Sequence, residues 1–483
     1  MNGWLKPAIA WVVFSSSFVA ATAADRLPDT PQLFVDLHRI ENAHPNRRWK
    51  RMDNVRRTFH QARVHPRPVS QPEAPWEHGG FTTSVIYDRE EQLFKMWYLT
   101  SIRGLGNVTC YAVSNDGIRW RRPNLGLHEY DGSKQNNIVF PVDYQEGKTH
   151  WETVLKDPLE KDPARKYKAI GWSSYDWDGP MSGIYTAVSP DGLRWKTTPE
   201  PVFRYHPRPG TNDLGPVGDA QSMMIDTLRN RYVAFLRHFP HRALSFSQNF
   251  LDWSPPETFI RTLHHRQEYY NSLGFVYSNQ YLGVVTVFDL NQHRHDMNCW
   301  LMSSRDGNRW ERPPADQPLI ECGGIGEWNR FCCRNGGSPP IRVEDELYIY
   351  FRGSGARHGP YEGPDNTVAH TSVGLAKIRV DGFASFGASF DGGHFVTTPW
   401  QLDGGSLLLN AKSEHGQIRV EVLDLDDQPL AGFSMEDCIP VSVNSTETAV
   451  RWKEHEDLSA AAGRTVRFRF HLENALLYSY RRG

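Results

Sequence analysis

Acidic residues stand just before or within segments in which apolar and polar side chains alternate. The four strongest candidates for chemistry are Glu77, Asp157 (with Glu152 upstream of it), Asp219 and Glu268. Alternation of this kind predicts half-buried strands, where a carboxylate has few structural reasons to occur. Cleavage of a glycosidic bond needs two carboxyl groups at one cavity, one protonated as an acid and one ionised as nucleophile or base. The pattern therefore predicts a glycosidase site and leaves the roles of the four acids open.

A second group of residues is suited to holding a sugar. Arg237, Arg334 and Arg352 lie within or beside predicted strands, and a planar guanidinium binds carboxylate or sulfate groups through two parallel hydrogen bonds. The arginines therefore favour an anionic sugar. The other candidate substrate-binding residues are Trp76, Tyr269 and Glu327. No spacing singles out a metal site, although converging carboxylates could hold a divalent cation such as calcium.

These candidates are embedded in a motif that occurs four times, a serine followed six residues later by a tryptophan. The copies are Ser114-Asn-Asp-Gly-Ile-Arg-Trp120, Ser189-Pro-Asp-Gly-Leu-Arg-Trp195, Ser247-Gln-Asn-Phe-Leu-Asp-Trp253 and Ser304-Arg-Asp-Gly-Asn-Arg-Trp310. Asp-Gly after alternating hydrophobic residues predicts a tight hairpin in which the aspartate has a structural role. The tryptophan offers a large apolar face for packing one unit on the next. Repetition on this scale is typical of β-propeller blades.

The repeats and a fifth strand series without the motif predict an all-β fold. A five-bladed β-propeller is expected over residues 76–380, followed by a small antiparallel β-sandwich over residues 381–483. The fifth series comprises Pro340–Val343, Leu347–Phe351 and Val373–Ile378. The innermost strands of a propeller face its axis, so this architecture would bring distant acids together. Residues 25–75 are polar, basic and proline-containing, and we interpret them as an irregular lead-in lying against the propeller.

The N-terminus predicts export. Residues 1–24 contain Lys6, an apolar run from Ala8 to Phe14, and the small residues Ala21-Thr-Ala23, as a cleaved signal peptide does. No other stretch is long and apolar enough to span a bilayer, so we expect a secreted or periplasmic protein without a membrane span. The net charge of −2, without long runs of either sign, does not indicate nucleic-acid binding. Six cysteines could form disulfides in that compartment, in pairings that spacing leaves open.

Several motifs together resemble secreted five-bladed glycosidase-like proteins of glycoside hydrolase families 32 and 43. They are Pro75-Trp-Glu77, Tyr87-Asp88 followed by Lys95-Met-Trp-Tyr98, Lys156-Asp-Pro158 with Arg165-Lys-Tyr-Lys168, and the repeated Ser-x-Asp-Gly-x-x-Trp. The resemblance covers most of residues 30–380. It implies that Asp157 corresponds to the transition-state-stabilising aspartate of family 32. The nucleophile motif Trp-x-Asn-Asp-Pro is absent, with Trp76-Glu77 nearest to it, and Glu321-Cys322 matches the Glu-Cys motif of the acid in letters.

The leading hypothesis is a secreted glycoside hydrolase that acts on an extracellular poly- or oligosaccharide. One alternative is a propeller that binds carbohydrate without cleaving it. Another is a sialidase-like enzyme, because the hairpin motif also resembles the Asp-box of sialidases, which use a tyrosine nucleophile and three arginines. Sialidases have six blades, and the five strand series counted here argue against that alternative.

Overall fold

The structure, a computed structural model, describes residues 24–41, 52–77, 80–102, 106–139, 149–173, 179, 181–291, 295–358 and 371–483. Within these ranges the secondary structure is β-strand, apart from two single-turn 3-10 helices at Pro163–Arg165 and Ser459–Ala461. The predicted all-β class is therefore confirmed. Residues 1–23 of the expected signal peptide lie outside the described residues. In the described part of the chain, no helix is long and apolar enough to cross a membrane.

Strands β1 to β4 precede the repeat region, and five antiparallel units follow them. The first four strands are β1 (Gln32–Leu33), β2 (Met52–Asp53), β3 (Arg56–Phe59) and β4 (Arg63–Val64). Unit one holds β5 (Gly80–Asp88), β6 (Leu93–Ile102) and β7 (Gly106–Ser114). Unit two holds β8 (Thr149–Lys156), β9 (Tyr167–Ser173), β10 (Gly183–Ser189), β11 (Lys196–Thr197) and β12 (Phe203–Arg204).

The remaining units have the same strand order. Unit three holds β13 (Ser222–Asp226), β14 (Arg231–His238), β15 (His241–Ser247) and β16 (Glu257–Ile260). Unit four holds β17 (Gln267–Tyr277), β18 (Gln280–Asp289) and β19 (Met297–Ser304). Unit five holds β20 (Cys332–Asn335), β21 (Ile341–Val343), β22 (Glu346–Ser354) and β23 (Thr371–Arg379). Its first strand is split, because β20 and β21 pair with opposite ends of β22, and the sequence predicted only the second half.

The serine-to-tryptophan motif forms the same hydrogen-bonded turn in each copy. In the first, the Ser114 hydroxyl accepts the backbone N–H of Gly117 at 2.9 Å, and Asp116 Oδ1 accepts the N–H groups of Ile118 and Arg119 at 2.8 Å each. In the third copy, Asn249 takes the place of the aspartate. Phe250 there adopts the glycine position with a φ of 64°. The predicted structural role of the motif acids is confirmed, and the turn survives without Asp-Gly.

The tryptophans of the motif pack on neighbouring units. Trp310 of unit four meets Phe235 of unit three edge-on at 5.5 Å, and Trp253 of unit three meets Phe203 of unit two at 5.6 Å. Trp120 of unit one meets Tyr350 of unit five at 6.0 Å. Strand β5 also contacts β22 and β23. Each unit thus contacts the next, and the fifth contacts the first.

The last strands form two sheets that also include three short strands of the lead-in. The strands are β24 (Ala384–Ala388), β25 (Gly393–Val396), β26 (Trp400–Gln401), β27 (Leu407–Lys412), β28 (Gln417–Leu423), β29 (Asn444–Ala449), β30 (Thr465–Glu473) and β31 (Ala475–Arg482). One sheet has the order β29-β27-β31-β24-β3 with β1 on β31, and the other has the order β2-β25-β30-β26 with β28 on β30. Strand β4 instead pairs with β23 of unit five. In its described residues the lead-in, which we interpreted as irregular, also holds short strands, and β1, β2 and β3 complete the C-terminal sheets.

Candidate functional site

A cavity of about 190 Å³ lies where the five units meet. All five contribute to its wall, which is lined by Leu99, Asn107, His150, Trp151, Glu152, Asp219, Tyr270, Arg334, Asn335, Arg352 and His358. We call it the central cavity. Because its residues come from segments far apart in sequence, only closure of the fold assembles it.

Two β-bulges place side chains in the central cavity. In β8 the register with β9 shifts between Trp151 and Thr153, so Glu152 is the extra residue. In β17 the register with β18 shifts between Tyr269 and Asn271, so Tyr270 is the extra residue. A bulge redirects the side chain of the residue it adds. Glu152 and Tyr270 reach the cavity in this way.

Glu152 is held as a carboxylate. Arg334 Nη2 donates to Glu152 Oε2 at 2.7 Å, and His150 Nε2 lies 3.0 Å from Glu152 Oε1. Burial acts to raise the pKa of Glu152, but the charges of Arg334 and His150 outweigh it and lower that pKa to about 2. Glu152 is therefore ionised at neutral pH.

A single guanidinium joins the other two acids. Arg237 Nε and Nη2 donate to Glu268 Oε1 at 2.8 and 2.7 Å, and Arg237 Nη1 donates to Asp219 Oδ1. One positive charge balances only one of the two carboxylates. Burial raises the pKa of Glu268, and the charge of Asp219 adds to this effect against the opposing effect of Arg237. The surroundings of Glu268 therefore favour its protonated form more than water does.

Two further arginines make one wall of the cavity cationic. Arg334 and Arg352 are directly opposite each other on β20 and β22, so their side chains share one face of the sheet. Burial lowers the pKa of Arg352, and the neighbouring Arg334 lowers it further. Burial and these arginines lower the pKa of His358 to about 4, so His358 is neutral at pH 7. The wall is thus a place where an anion would be stabilised.

Tyr270 provides an aromatic surface between the arginines. The guanidinium carbon of Arg237 lies 4.3 Å from its ring centroid, and that of Arg334 lies 5.4 Å away. The His358 ring meets it edge-on at 5.0 Å. Burial and the charge of Asp219 raise the pKa of Tyr270, so its hydroxyl stays protonated. The Tyr270 ring thus forms one cluster with Arg237, Arg334 and His358 at the cavity wall.

The structure brings together one part of the sequence-predicted site. Asp219, Arg334 and Arg352 line the central cavity, and Arg237 and Glu268 stand directly behind Asp219. These five residues come from units three, four and five.

The structure does not bring Asp157 to this cavity. Asp157 follows the far end of β8, five residues from Glu152, which corresponds to roughly 16–17 Å at about 3.3 Å per residue. Its Oδ2 accepts the Tyr232 hydroxyl at 2.7 Å and lies 3.4 Å from Lys168 Nζ, and its Oδ1 accepts the N–H of Leu159 at 2.9 Å. The side chain is fully buried. This environment is that of a structural carboxylate.

Two other candidates near unit one are also engaged elsewhere. Glu77 Oε1 accepts Arg122 Nε at 2.8 Å and the Tyr98 hydroxyl. Trp76 Nε1 donates to Asn137 Oδ1 at 3.1 Å. Neither residue lines the central cavity.

The remaining two candidates point away from the cavity. Tyr269 is buried between units three and four, where Arg312 Nη1 donates to its hydroxyl at 3.3 Å. Glu327 is exposed in the loop before β20, and its Oε2 accepts the N–H of Gly324 at 2.9 Å. Tyr270, the neighbour of Tyr269, is the tyrosine that reaches the cavity.

Sequence reasoning missed His150 and His358 and gave Glu152 only a secondary place. Glu152 and Tyr270 occupy bulges, and a bulge has no dependable local signature in sequence. His150 could have been found, because it stands two residues before Glu152 in a predicted strand and alternate residues share a face. Among the described residues, no group of three or more His, Cys, Asp or Glu side chains is arranged to hold a metal ion.

No family model matches the chain, and no curated protein matches it. Solved structures do. One described as a glycoside hydrolase has a TM-score of 0.47 and 11% identity, over 65% of this chain and 92% of that one. A glycosyl hydrolase from Bacteroides ovatus has a TM-score of 0.44 and 13% identity, over 74% and 96% of the two chains. A fructofuranosidase variant from Schwanniomyces occidentalis, complexed with fructosylnystose, has a TM-score of 0.42 and 10% identity, over 87% and 98%.

Proposed function

We propose that this protein is an exported hydrolase that cleaves a glycosidic bond of an anionic poly- or oligosaccharide in the central cavity. The observation that carries the proposal is the convergence of two carboxyl groups, those of Glu152 and Asp219, on one cavity. The pKa of Glu152 is lowered to about 2, whereas that of Glu268, linked through Arg237 to Asp219, is raised. Hydrolysis of a glycoside needs one ionised and one protonated carboxyl group.

The proposed architecture is a five-bladed β-propeller with a C-terminal β-sandwich. The five units would be the blades, in agreement with the contacts of unit five with unit one. The two sheets of β24 to β31, completed by β1, β2 and β3, would be the sandwich. In this arrangement the central cavity lies on the propeller axis.

The proposed roles follow from position and charge. Asp219 and Glu268 together supply the proton that goes to the leaving glycosidic oxygen as the bond from that oxygen to the anomeric carbon breaks. Glu152 takes a proton from a water molecule whose oxygen bonds to the same carbon, or bonds to that carbon itself before water replaces it. Arg237 keeps Asp219 and Glu268 in contact. Arg334 keeps Glu152 ionised.

The size and charge of the cavity define the substrate class. A volume of 190 Å³ corresponds to about six water molecules at roughly 30 Å³ each, which suits a single sugar ring. Tyr270 contributes to the wall, and Arg334 and Arg352 offer a substituent of the sugar ring two guanidinium groups. A carboxylate or sulfate on the sugar satisfies this wall better than a hydroxyl group does.

The test is hydrolysis of matched acidic and neutral glycans. Purified protein is incubated with uronic-acid-containing and sulfated oligosaccharides and with their neutral counterparts, and new reducing ends are measured. We expect release from the acidic substrates and its loss in Glu152→Gln. The control variant is Asp157→Asn, which changes a buried acid at the other end of the same strand and should retain activity.

Two outcomes would contradict this proposal. Binding of acidic glycans without any new reducing ends would support the carbohydrate-binding alternative instead. Equal hydrolysis by wild type and Glu152→Gln would exclude the central cavity as the catalytic site.

A further inference from the structure

Four of the six cysteines converge where units four and five meet. They are Cys299, Cys322, Cys332 and Cys333, and all are free thiols in the structure. Cys110 lies in unit one, and Cys438 lies near the C-terminal sheets. The question is which of the four converging thiols stand close enough to be joined.

The contacts of Cys322 and Cys333 place their side chains together. Cys333 Sγ lies 3.4 Å from the carbonyl oxygen of Glu321, which is the peptide group directly before Cys322. Cys322 Sγ donates to the carbonyl of Met297 at 3.0 Å, and its N–H donates to Asn298 Oδ1 at 2.7 Å. A thiol that lies against the peptide group preceding Cys322 is close to the Cα atom of Cys322, and a disulfide joins Cα atoms about 4.4–6.8 Å apart.

The other two thiols of the group make contacts of their own. Cys332 points to the opposite face of β20 from Cys333, since successive strand residues alternate, and its Sγ lies 3.8 Å from Met297 Sδ. Cys299 donates to the backbone carbonyl of Cys333 at 2.9 Å and is fully buried. Cys322 and Cys333 are therefore the favoured pair.

The two thiols also differ in access, as stepwise oxidation requires. Cys322 is partly exposed and lines an open groove of about 840 Å³ between residues 61–68 and 321–329. Cys333 is fully buried behind it. Burial raises the pKa of the Cys333 thiol well above its ordinary value, so Cys322 is the thiol that an external disulfide meets first.

We propose that Cys322 and Cys333 form a disulfide that closes the loop between them. With glutathione disulfide as the oxidant, the Cys322 thiolate attacks one sulfur, a mixed disulfide forms and one glutathione thiolate leaves. Cys333, after losing its proton, attacks the Cys322 sulfur and releases the second glutathione. Two protein thiols are oxidised, and one glutathione disulfide is reduced to two thiols. The bond does not depend on the proposed catalytic activity.

The disulfide would stabilise the segment that forms one wall of the central cavity. The enclosed loop carries Trp328, whose ring stacks on Phe351 at 5.8 Å, and it fits closely over Gly353. Cys333 immediately precedes Arg334, which binds Glu152. Closing a short loop stabilises a fold mainly by restricting the unfolded chain, so the start of β20 would be held more firmly.

Peptide mapping tests the pairing directly. The full chain is equilibrated with reduced or oxidised glutathione, alkylated under denaturing conditions, and digested with trypsin without reduction. Cleavage after Arg330 separates the two halves of the loop, so the peptide ending at Arg330 stays joined to the peptide 331–334 only through a disulfide. We expect this linked species in the oxidised wild type.

Matched variants identify the sulfur, because peptide 331–334 contains both Cys332 and Cys333. Cys332→Ser should keep the link, whereas Cys333→Ser and Cys322→Ser should lose it. Oxidation should raise the Tm of the wild type by several degrees and leave that of Cys322→Ser unchanged, a control that remains informative if Cys333→Ser folds poorly. A link that persists in Cys333→Ser, or complete alkylation of both thiols in the oxidised wild type, would overturn the proposal.

Discussion

The two ends of the inner strands carry paired acids that differ in their exposure to solvent. At the cavity end, Glu152 and Asp219 are paired with arginines, and their side chains are 15% and 40% exposed. At the far end, Asp88 and Asp157 have fully buried side chains. We call Asp88, Asp157 and the lysines that bind them the opposite cluster.

A cavity of about 980 Å³ is lined in part by Lys156 and Asp157, but the carboxylate oxygens of the opposite cluster are occupied by protein donors. Asp88 accepts Lys95 Nζ at 2.9 Å, Lys156 Nζ at 2.8 Å and the Tyr167 hydroxyl at 3.1 Å. Its pKa is lowered because the two lysines outweigh its burial. A carboxylate whose oxygens are occupied and closed off from solvent supports the fold, whereas one that keeps an exposed side can meet a substrate. The exposed fraction of a paired acid therefore distinguishes the two ends of the inner strands better than the charge of that acid does.

The largest expected effect is on catalysis at the cavity end. Glu152→Gln keeps the shape and the hydrogen bond from Arg334 but removes the negative charge, so we expect turnover of an acidic glycan to fall about a thousandfold. Turnover is measured by release of reducing ends at saturating substrate. A loss smaller than about tenfold would mean that Glu152 has no part in the reaction.

The second effect is on stability at the opposite cluster. Asp88→Asn leaves Lys95, which is 3% exposed, without its buried counter-charge, and we expect a loss of about 3–5 kcal/mol in the free energy of unfolding. Urea denaturation measures it. The control is Glu91→Gln, which removes an exposed partner of the same lysine and should cost less than about 1 kcal/mol. Similar costs for both variants would contradict the distinction between the two ends.

A third variant tests the residue that the motif resemblance favoured. In Asp157→Asn, Lys168 retains its contact with Glu160 Oε2 at 2.8 Å, so we expect a smaller loss of about 1–3 kcal/mol. Hydrolysis by the folded variant should equal that of wild type. A folded Asp157→Asn protein without activity would restore this aspartate to the mechanism and weaken the case for the central cavity.

Much of the fold could be predicted because its signals are local. The Ser–Trp motif is a turn whose hydrogen bonds stay within seven residues. Residues 114–120 and their copies can therefore be recognised from the sequence alone. The pairing of β1 with β31 joins residues more than 400 positions apart, and no local pattern encodes it. The lead-in was therefore taken for irregular chain.

The site was predicted in part for the same reason. Asp219 stands near the start of an inner strand and lines the cavity, and Glu268, at the start of the next one, lies behind it. Lys156-Asp157-Pro158 has the letters of a catalytic motif, but it follows the end of β8 rather than preceding its start. Glu152 and Tyr270 depend on bulges, which arise from pairing with a neighbouring strand.

The smallest expected effect is on the pH dependence of stability, in which Glu268 and Glu152 should differ. The pKa of Glu268 is raised in the folded state, so the folded protein binds this proton more tightly than the unfolded chain does. Ionisation therefore costs stability as the pH rises above the ordinary value for glutamate. Glu268→Gln resembles the protonated form, and its stability relative to wild type should increase as the pH rises from 4 to 7.

Glu152 should behave in the opposite sense. Its pKa is lowered to about 2, so the stability that its charge contributes is present above the ordinary glutamate pKa and is lost as the pH falls towards 2. As the pH falls, the stability of wild type should therefore approach that of both variants. It should start above that of Glu152→Gln and below that of Glu268→Gln. Urea midpoints measured at several pH values give both differences. Parallel trends, with both variants losing stability relative to wild type as the pH rises, would show that Arg237 holds Glu268 ionised and that the proton must come from elsewhere.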